Sequence, residues 1–276
     1  MNRIPKKEIF ELLSGLKGDV GLYIHLLDTD ELLQIDPDRV FPSASVIKIP
    51  ILALLLKDIQ AGQFSWSQRV PIAPENRVGG TGILFALDED YAPSLSVLAN
   101  LMITLSDNVA TNQLIDLLGM DRINQFCQEN GLVHTQLQRK MLDFEAIRQG
   151  RNNYMTAGEA GRLLSLIARG EFLDPDSSRQ ILSIMEAQQC RNKLPALIPA
   201  VPSYAAPEDK QTLKPDTVLV ANKTGDLVGI QHDVGVFTLP DGRRYVISVF
   251  SGGLEEDAQG IQMIAQISQA VYQAVK

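Results

Sequence analysis

Ser45-Val46-Ile47-Lys48 opens the apolar run Ile49 to Leu56, so a hydroxyl and an amine sit three residues apart at a helix start. With 3.6 residues per turn, that spacing puts both side chains on one face. A serine hydroxyl is inert at neutral pH until a neighbouring base takes its proton, and a lysine held in a dry site can do so. The helix start adds unpaired backbone N–H groups and a partial positive charge for the oxygen anion formed on attack. Alone the pattern is weak: about one Ser-x-x-Lys arises by chance in such a chain, and Ser14-Gly15-Leu16-Lys17 is another. Two more short motifs follow. Ser106-Asp107-Asn108 interrupts a helical pattern, and Lys223-Thr224-Gly225 ends the strand Val218 to Asn222. Singly, the first also reads as a helix junction capped by Asp or Asn, and the second as a strand end with a turn glycine.

The elements that must position these residues can be read from periodicity. Ile9, Leu12, Leu13 and Leu16 mark one face of a first helix, and Val20 to Leu27 and Glu31 to Ile35 read as a hairpin around Asp28-Thr29-Asp30. From about Ser43 to Gln189 the pattern is helical. A tract from Lys193 to Asp216 with five prolines reads as an irregular surface connection. Strand signals resume at Val218 to Asn222, Ile230 to Leu239 and Tyr245 to Ser251, with Asp241-Gly242 as a hairpin turn. Ile261, Ile264, Ile267, Val271 and Val275 then line a last helix. The expected fold is therefore α+β: an antiparallel sheet flanked by terminal helices (1–42 plus 193–276), an inserted all-α lobe (43–192), and the active site between them.

Composition narrows the function. The 276 residues are 45% apolar and carry a net charge of −8, with no cluster of Lys and Arg suited to phosphates, so nucleic acid is an unexpected partner. No run reaches the roughly 18 apolar residues of a membrane span. Cys127 and Cys190 read as two buried free thiols, which with the lack of an apolar N-terminal leader suggests the cytoplasm. Three scattered histidines, no His-x-x-Glu-His, no Gly-x-Ser-x-Gly and Asn222 before Lys223-Thr224 argue against zinc, α/β-hydrolase and NTPase chemistry. No metal or cofactor is expected, and the partner is a small-molecule substrate, with the chain a monomer or weak dimer.

Taken in order, with the first on a helix start, the second at a helix junction and the third on a C-terminal strand, the motifs resemble the penicillin-recognising serine acyl-enzymes, class A β-lactamases in particular. Phe41-Pro42, Gly82-Ile83-Leu84, Thr111 to Leu118 and the helix after Thr156 add to the likeness, which spans nearly the whole chain. The resemblance implies Ser45 as nucleophile and Lys48 as its base. The N–H of Ser45 and one from the strand after Lys223 would form the oxyanion hole. Ser106, helped by Lys223, relays a proton to the leaving nitrogen; Asn108 holds the substrate amide, Thr224 its carboxylate, with Gly225 beside it, while Asp107 braces the loop.

Two departures qualify that likeness. Class A enzymes clear the acyl-enzyme with a glutamate in a segment reading roughly Arg-x-Glu-x-x-x-Asn. Here Arg139 matches the arginine, Met141 takes the glutamate position and Glu145 the asparagine position. Loss of a general base typically costs about 10²- to 10⁴-fold in its step, so slow deacylation is expected. Glu145 is the expected replacement base, with Asp143 the alternative if the loop folds differently and two surface charges the competing reading. After the third motif, Asp226-Leu227-Val228-Gly229 replaces the usual continuation, and His232 reads either as a neighbour of the substrate carboxylate or as a solvated or capped side chain. A β-lactam hydrolase is the leading expectation. The alternatives are a penicillin-binding or peptidase-like acyltransferase, a hydrolase of small esters or cyclic amides, and a non-catalytic β-lactam sensor.

Overall fold

The computed structural model describes residues 3–199 and 215–276. In chain order its elements are α1 (Lys6–Ser14), β1 (Asp19–Leu26), β2 (Glu31–Ile35), β3 (Val40–Pro42), a 3-10 turn (Ala44–Ile47), α2 (Lys48–Gln60), α3 (Leu95–Thr104), α4 (Asn108–Leu118), α5 (Met120–Glu129), α6 (Phe144–Arg148), β4 (Tyr154–Thr156), α7 (Ala157–Arg169), α8 (Pro175–Glu186), β5 (Leu219–Leu227), β6 (Ile230–Thr238), β7 (Arg244–Gly252) and α9 (Asp257–Val275). They fall into two compact units, 1–46 with 155–276, and 47–154.

The first unit carries a five-stranded antiparallel sheet in the order β2-β1-β7-β6-β5, so strands from both ends of the chain pair as expected. Alternation splits the sheet into two faces. Leu22, Ile24 and Leu26 of β1 and Tyr245, Ile247 and Val249 of β7 form one core with Ile9 of α1 and Met263, Ile264, Ile267 and Val271 of α9. The other face receives α7. There Gly161 is needed because a Cβ would run into the Tyr23 ring. Helices α7 and α8 pack on this sheet, so they belong with it, whereas the sequence periodicity grouped them in a helical stretch reaching residue 192. Helical pattern alone does not say which surface a helix covers.

The second unit is helical. Helix α2 is apolar nearly all round, with Ile49 through Leu56 buried, and packs against α3, α4 and α5. Ser94, Asp107, Asp143, Thr156 and Asp174 each cap the helix that follows, their side chains accepting from a free N–H of its first turn. Among the described residues no helix is long and apolar enough to cross a membrane.

The strands of the five-stranded sheet agree with the periodicity to within a residue except at β5, whereas the short β3 and β4 have no counterpart in it, β4 lying inside the stretch read as helical. Strand β5 runs on through Lys223-Thr224-Gly225 to Leu227, so the motif lies inside the strand rather than ending it. The Asp241-Gly242 turn forms, Gly242 adopting φ 86°. Of the proline-rich tract, Pro195, Pro199 and Pro215 lie in turns or irregular backbone, and Pro202 and Pro207 fall outside the described residues. Cys127 is buried, but Cys190 is only partly so.

Candidate active site

In the sheet unit, the turn that carries Ser45 is held from two directions. The His232 ring donates from Nε2 to the carbonyl of Pro42 at 2.9 Å, and its Nδ1 accepts from the Ser251 N–H at 3.1 Å. Both nitrogens are thus engaged by a neutral ring, 4.2 Å from the Phe250 ring centroid. Burial pushes His232 down to about 4. His232 is therefore capped rather than solvated, and it holds Pro42, three residues before Ser45. Gly225 of β5 approaches the same turn so closely that a Cβ there would lie 3.1 Å from Ala44 Cβ and Val46 Cγ2. The glycine thus does more than turn a strand, since it lets β5 lie against Ser43 to Val46.

Ala44, immediately before Ser45, sits at φ 45°, in the left-handed region that costs a residue with a Cβ of order 1–3 kcal/mol. Ser106 does the same at φ 55°. Strained backbone thus falls at two of the three motifs. Ser45 itself is partly exposed, while Lys223 and Thr224 are buried. Burial lowers Lys223 to about 8 against the opposing pull of Cys190, Asp226 and Asp233, and its ammonium donates to the Thr224 carbonyl at 2.9 Å.

In the helical unit, Lys48 begins α2 and is fully buried. Its Nζ donates to the Ser106 carbonyl at 2.8 Å, to Ser106 Oγ at 3.0 Å and to Asn108 Oδ1 at 3.2 Å. Of these three oxygens, the Ser106 hydroxyl can donate as well as accept. Asp107 turns away from them. Its Oδ1 caps α4 through the Ala110 N–H at 2.9 Å, and its Oδ2 accepts from Ile83 and Leu84 N–H at 2.7 and 2.9 Å. This is the bracing role expected of it. Gly82, at φ 108°, is required there, because a Cβ would collide with the Asp107 carboxylate.

The loop after α5 is tied by amides and by the ion pair of Lys140 with Asp116 at 2.7 Å. Asn153 Oδ1 accepts from the Gln138 and Arg139 N–H groups at 2.8 and 3.1 Å, and Arg139 Nε donates to Asn152 at 3.0 Å. Asn112 clasps Met141 through both its N–H, at 2.7 Å, and its carbonyl, at 3.2 Å. The Met141 side chain is buried. Glu145 lies on exposed α6, one carboxylate oxygen on Arg148 and the other on Gln149 at 2.9 Å, and Asp143 is spent capping that helix.

The motif residues thus assemble in two groups: Ser45 with Lys223, Thr224 and Gly225 in the sheet unit, and Lys48 with Ser106 and Asn108 in the helical unit. Glu145 bonds Arg148 and Gln149 at the end of its own helix. Sequence reading missed Lys193, whose ammonium contacts the Gly225 carbonyl, and Asn112; a lone lysine in an irregular tract and a mid-helix amide leave no pattern to find. It also gave no place to His25, which bonds Ser165 at 3.1 Å and Asp30 at 3.0 Å. That chain resembles a catalytic relay, but the buried Ser165 hydroxyl is given to the Gly161 carbonyl of its own helix at 2.8 Å.

Known proteins resemble this chain in sequence and fold. The model of the beta-lactamase enzyme family, Beta-lactamase2, matches residues 4–275. The extended-spectrum beta-lactamase PER-1 of Pseudomonas aeruginosa is 26% identical over 97% of this chain and 86% of its own. A beta-lactamase from Sphaerobacter thermophilus is 27% identical with a TM-score of 0.83, covering 98% of this chain and 95% of its own. PBP-A is 31% identical with a TM-score of 0.84 over 98% and 94%, and a point mutant of it, 30% identical to this chain, has been solved as an acyl-enzyme complex with penicillin G. With the three motifs in place and the family model spanning the whole sheet and helical insert, the chain belongs to the beta-lactamase enzyme family, as a serine hydrolase of the class A type.

Proposed function

We propose that Ser45 opens β-lactam rings through an acyl-enzyme that is released slowly. Lys48, as free amine, takes the Ser45 proton while Oγ bonds the carbonyl carbon, and the tetrahedral oxyanion is met by the Ser45 N–H and one N–H of the strand after Lys223. Each such donor is worth roughly 3 kcal/mol in comparable sites. The ring C–N bond then breaks, and the nitrogen receives its proton through Ser106, which recovers one from Lys48. Asn108 holds the substrate amide, and Lys223 and Thr224 hold its carboxylate. The observation that carries this reading is the buried Lys48 Nζ bonded to both Ser106 Oγ and Asn108.

Release needs a water activated by a base. Met141 stands where class A enzymes carry glutamate, and Glu145 is committed to Arg148 and Gln149. These features favour a second reading, a penicillin-binding acyltransferase that traps β-lactams. Steady-state turnover of a chromogenic cephalosporin, set beside labelling by a fluorescent penicillin, separates the two. Repeated turnover, slow but beyond one equivalent, supports the hydrolase, and stoichiometric labelling without turnover supports the acyltransferase. Labelling that persists in Ser45→Ala, or fails in the wild type with every β-lactam and ester tried, would overturn the acyl-enzyme proposal.

A further inference from the structure

Lys193 is fully withdrawn from water, although it follows no motif and precedes the proline-rich tract. Its ammonium donates to the Gly225 carbonyl at 3.2 Å, the His232 carbonyl at 3.0 Å and Asp226 Oδ1 at 2.8 Å. Gly225 and His232 are directly opposed across β5 and β6. Two protons of the ammonium are therefore used at this rung, beside Thr224, and the third at the neighbouring Asp226. The arm that delivers it is fixed at the next residue: the Leu194 N–H donates to Asp233 Oδ2 at 3.0 Å, and its carbonyl accepts from Ser268 of α9 at 2.7 Å.

Removing a lysine from water carries a large desolvation cost, which an apolar side chain of equal length would avoid while filling the same space. Charge explains what the amine adds. Around the third motif stand Lys223 and Asp226 on β5, Asp233 on β6 and Lys193; His232 is neutral, and Cys190 lies alongside. Two cations balance two carboxylates. Without Lys193 the neighbourhood would carry an excess negative charge, led by Asp226 one residue beyond Gly225, and would repel an anionic substrate group.

We propose that Lys193 is a positioning residue that sets substrate specificity: by holding and neutralising Asp226 it makes the strand carrying Thr224 receptive to substrates bearing a carboxylate. This rests on the reading that the third motif binds that carboxylate. Lys193 acts through Asp226 and the Gly225 rung and does not itself touch substrate.

The test compares second-order acylation of Ser45 by penicillin G and by its uncharged methyl ester. The readout is the acid-to-ester ratio, because a lost strand brace slows both and leaves the ratio alone. Lys193→Met should lower the ratio on the order of tenfold at low salt, and less at high salt, as expected for one uncompensated charge nearby. Lys193→Arg should restore most of it, and Lys193→Met with Asp226→Asn should return it to near the wild-type value. Asp226→Asn alone, at a half-exposed position that leaves the core intact, should raise the ratio severalfold even if Lys193→Met fails to fold. An unchanged ratio in Asp226→Asn, or a ratio in folded Lys193→Met equal to wild type, overturns the inference. Failure of wild-type Ser45 to react with either probe refutes the acyl-enzyme reading beneath it, and that outcome is distinguishable from the others.

Discussion

Asp107→Ala should be among the most damaging substitutions outside the reacting atoms. The carboxylate is fully buried and satisfies three backbone N–H groups, those of Ala110, Ile83 and Leu84. Losing the Ala110 bond removes the cap of α4, worth about 1 kcal/mol. The other two donors are left in a site sealed by Gly82, at about 1–3 kcal/mol for each buried unpaired group. Relief from burying the charge offsets part of this, leaving a net loss of about 3–5 kcal/mol. At roughly 2–4 °C per kcal/mol for a chain of this size, the melting temperature should fall by about 10 °C or more. Asp107→Asn keeps one acceptor oxygen, which can serve Ile83 and Leu84 while its amide faces the Ala110 N–H, so its loss should be about 1–2 kcal/mol. Scanning calorimetry and urea titration of the three proteins give the ranking, and acylation rates show whether Ser106 and Asn108, the flanking residues, are displaced too. An alanine variant melting within about 2 °C of wild type, or an asparagine variant as unstable as alanine, would refute the bracing argument.

Three further outcomes are expected. Lys223, at about 8, loses its charge above that pH, so kcat/KM for a carboxylate-bearing β-lactam should fall on the alkaline side of about 8; Lys223→Arg should move that limb upward, and an unmoved limb would assign it to another group. Met141→Glu should shorten the acyl-enzyme lifetime by at least about tenfold in a penicillin chase, whereas Glu145→Gln should leave it unaltered; the reverse pattern would make Glu145 the deacylating base. Burial raises Asp233 to about 6 and lowers His232 to about 4. Between those values the folded chain keeps a proton on Asp233 that the unfolded chain releases, so that contribution to stability falls as pH rises. The unfolded chain meanwhile carries a proton on His232 that the folded one lacks, so that contribution rises, and the two offset. Asp233→Asn should remove the first slope, its stability relative to wild type rising by about 1.4 kcal/mol per pH unit from pH 4 to 6. Urea titrations at both ends check this, and a difference between variant and wild type that is independent of pH contradicts it.

The chain order alone placed the nucleophile, the second motif and the third motif on a helix start, a helix junction and a strand, because those positions depend on periods of 3.6 and 2 that local sequence carries. Matching Arg139 to the family's arginine is what puts Met141 at the glutamate position, an expectation drawn from the sequence. Local pattern does not encode which surfaces meet. Helices α7 and α8 look like any amphipathic helices until the sheet they cover is seen, and β5 looks finished at Asn222 until β6 is there to pair with Gly225. The same limit hid the fate of the polar side chains. Glu145, a plausible base by position, is occupied by Arg148 and Gln149 on an exposed helix, His232 is a neutral brace for Pro42, and Lys193 reaches Asp226 across more than thirty residues of chain. A hydrogen bond needs its partner within about 3 Å, and only tertiary packing brings partners so distant in sequence that close.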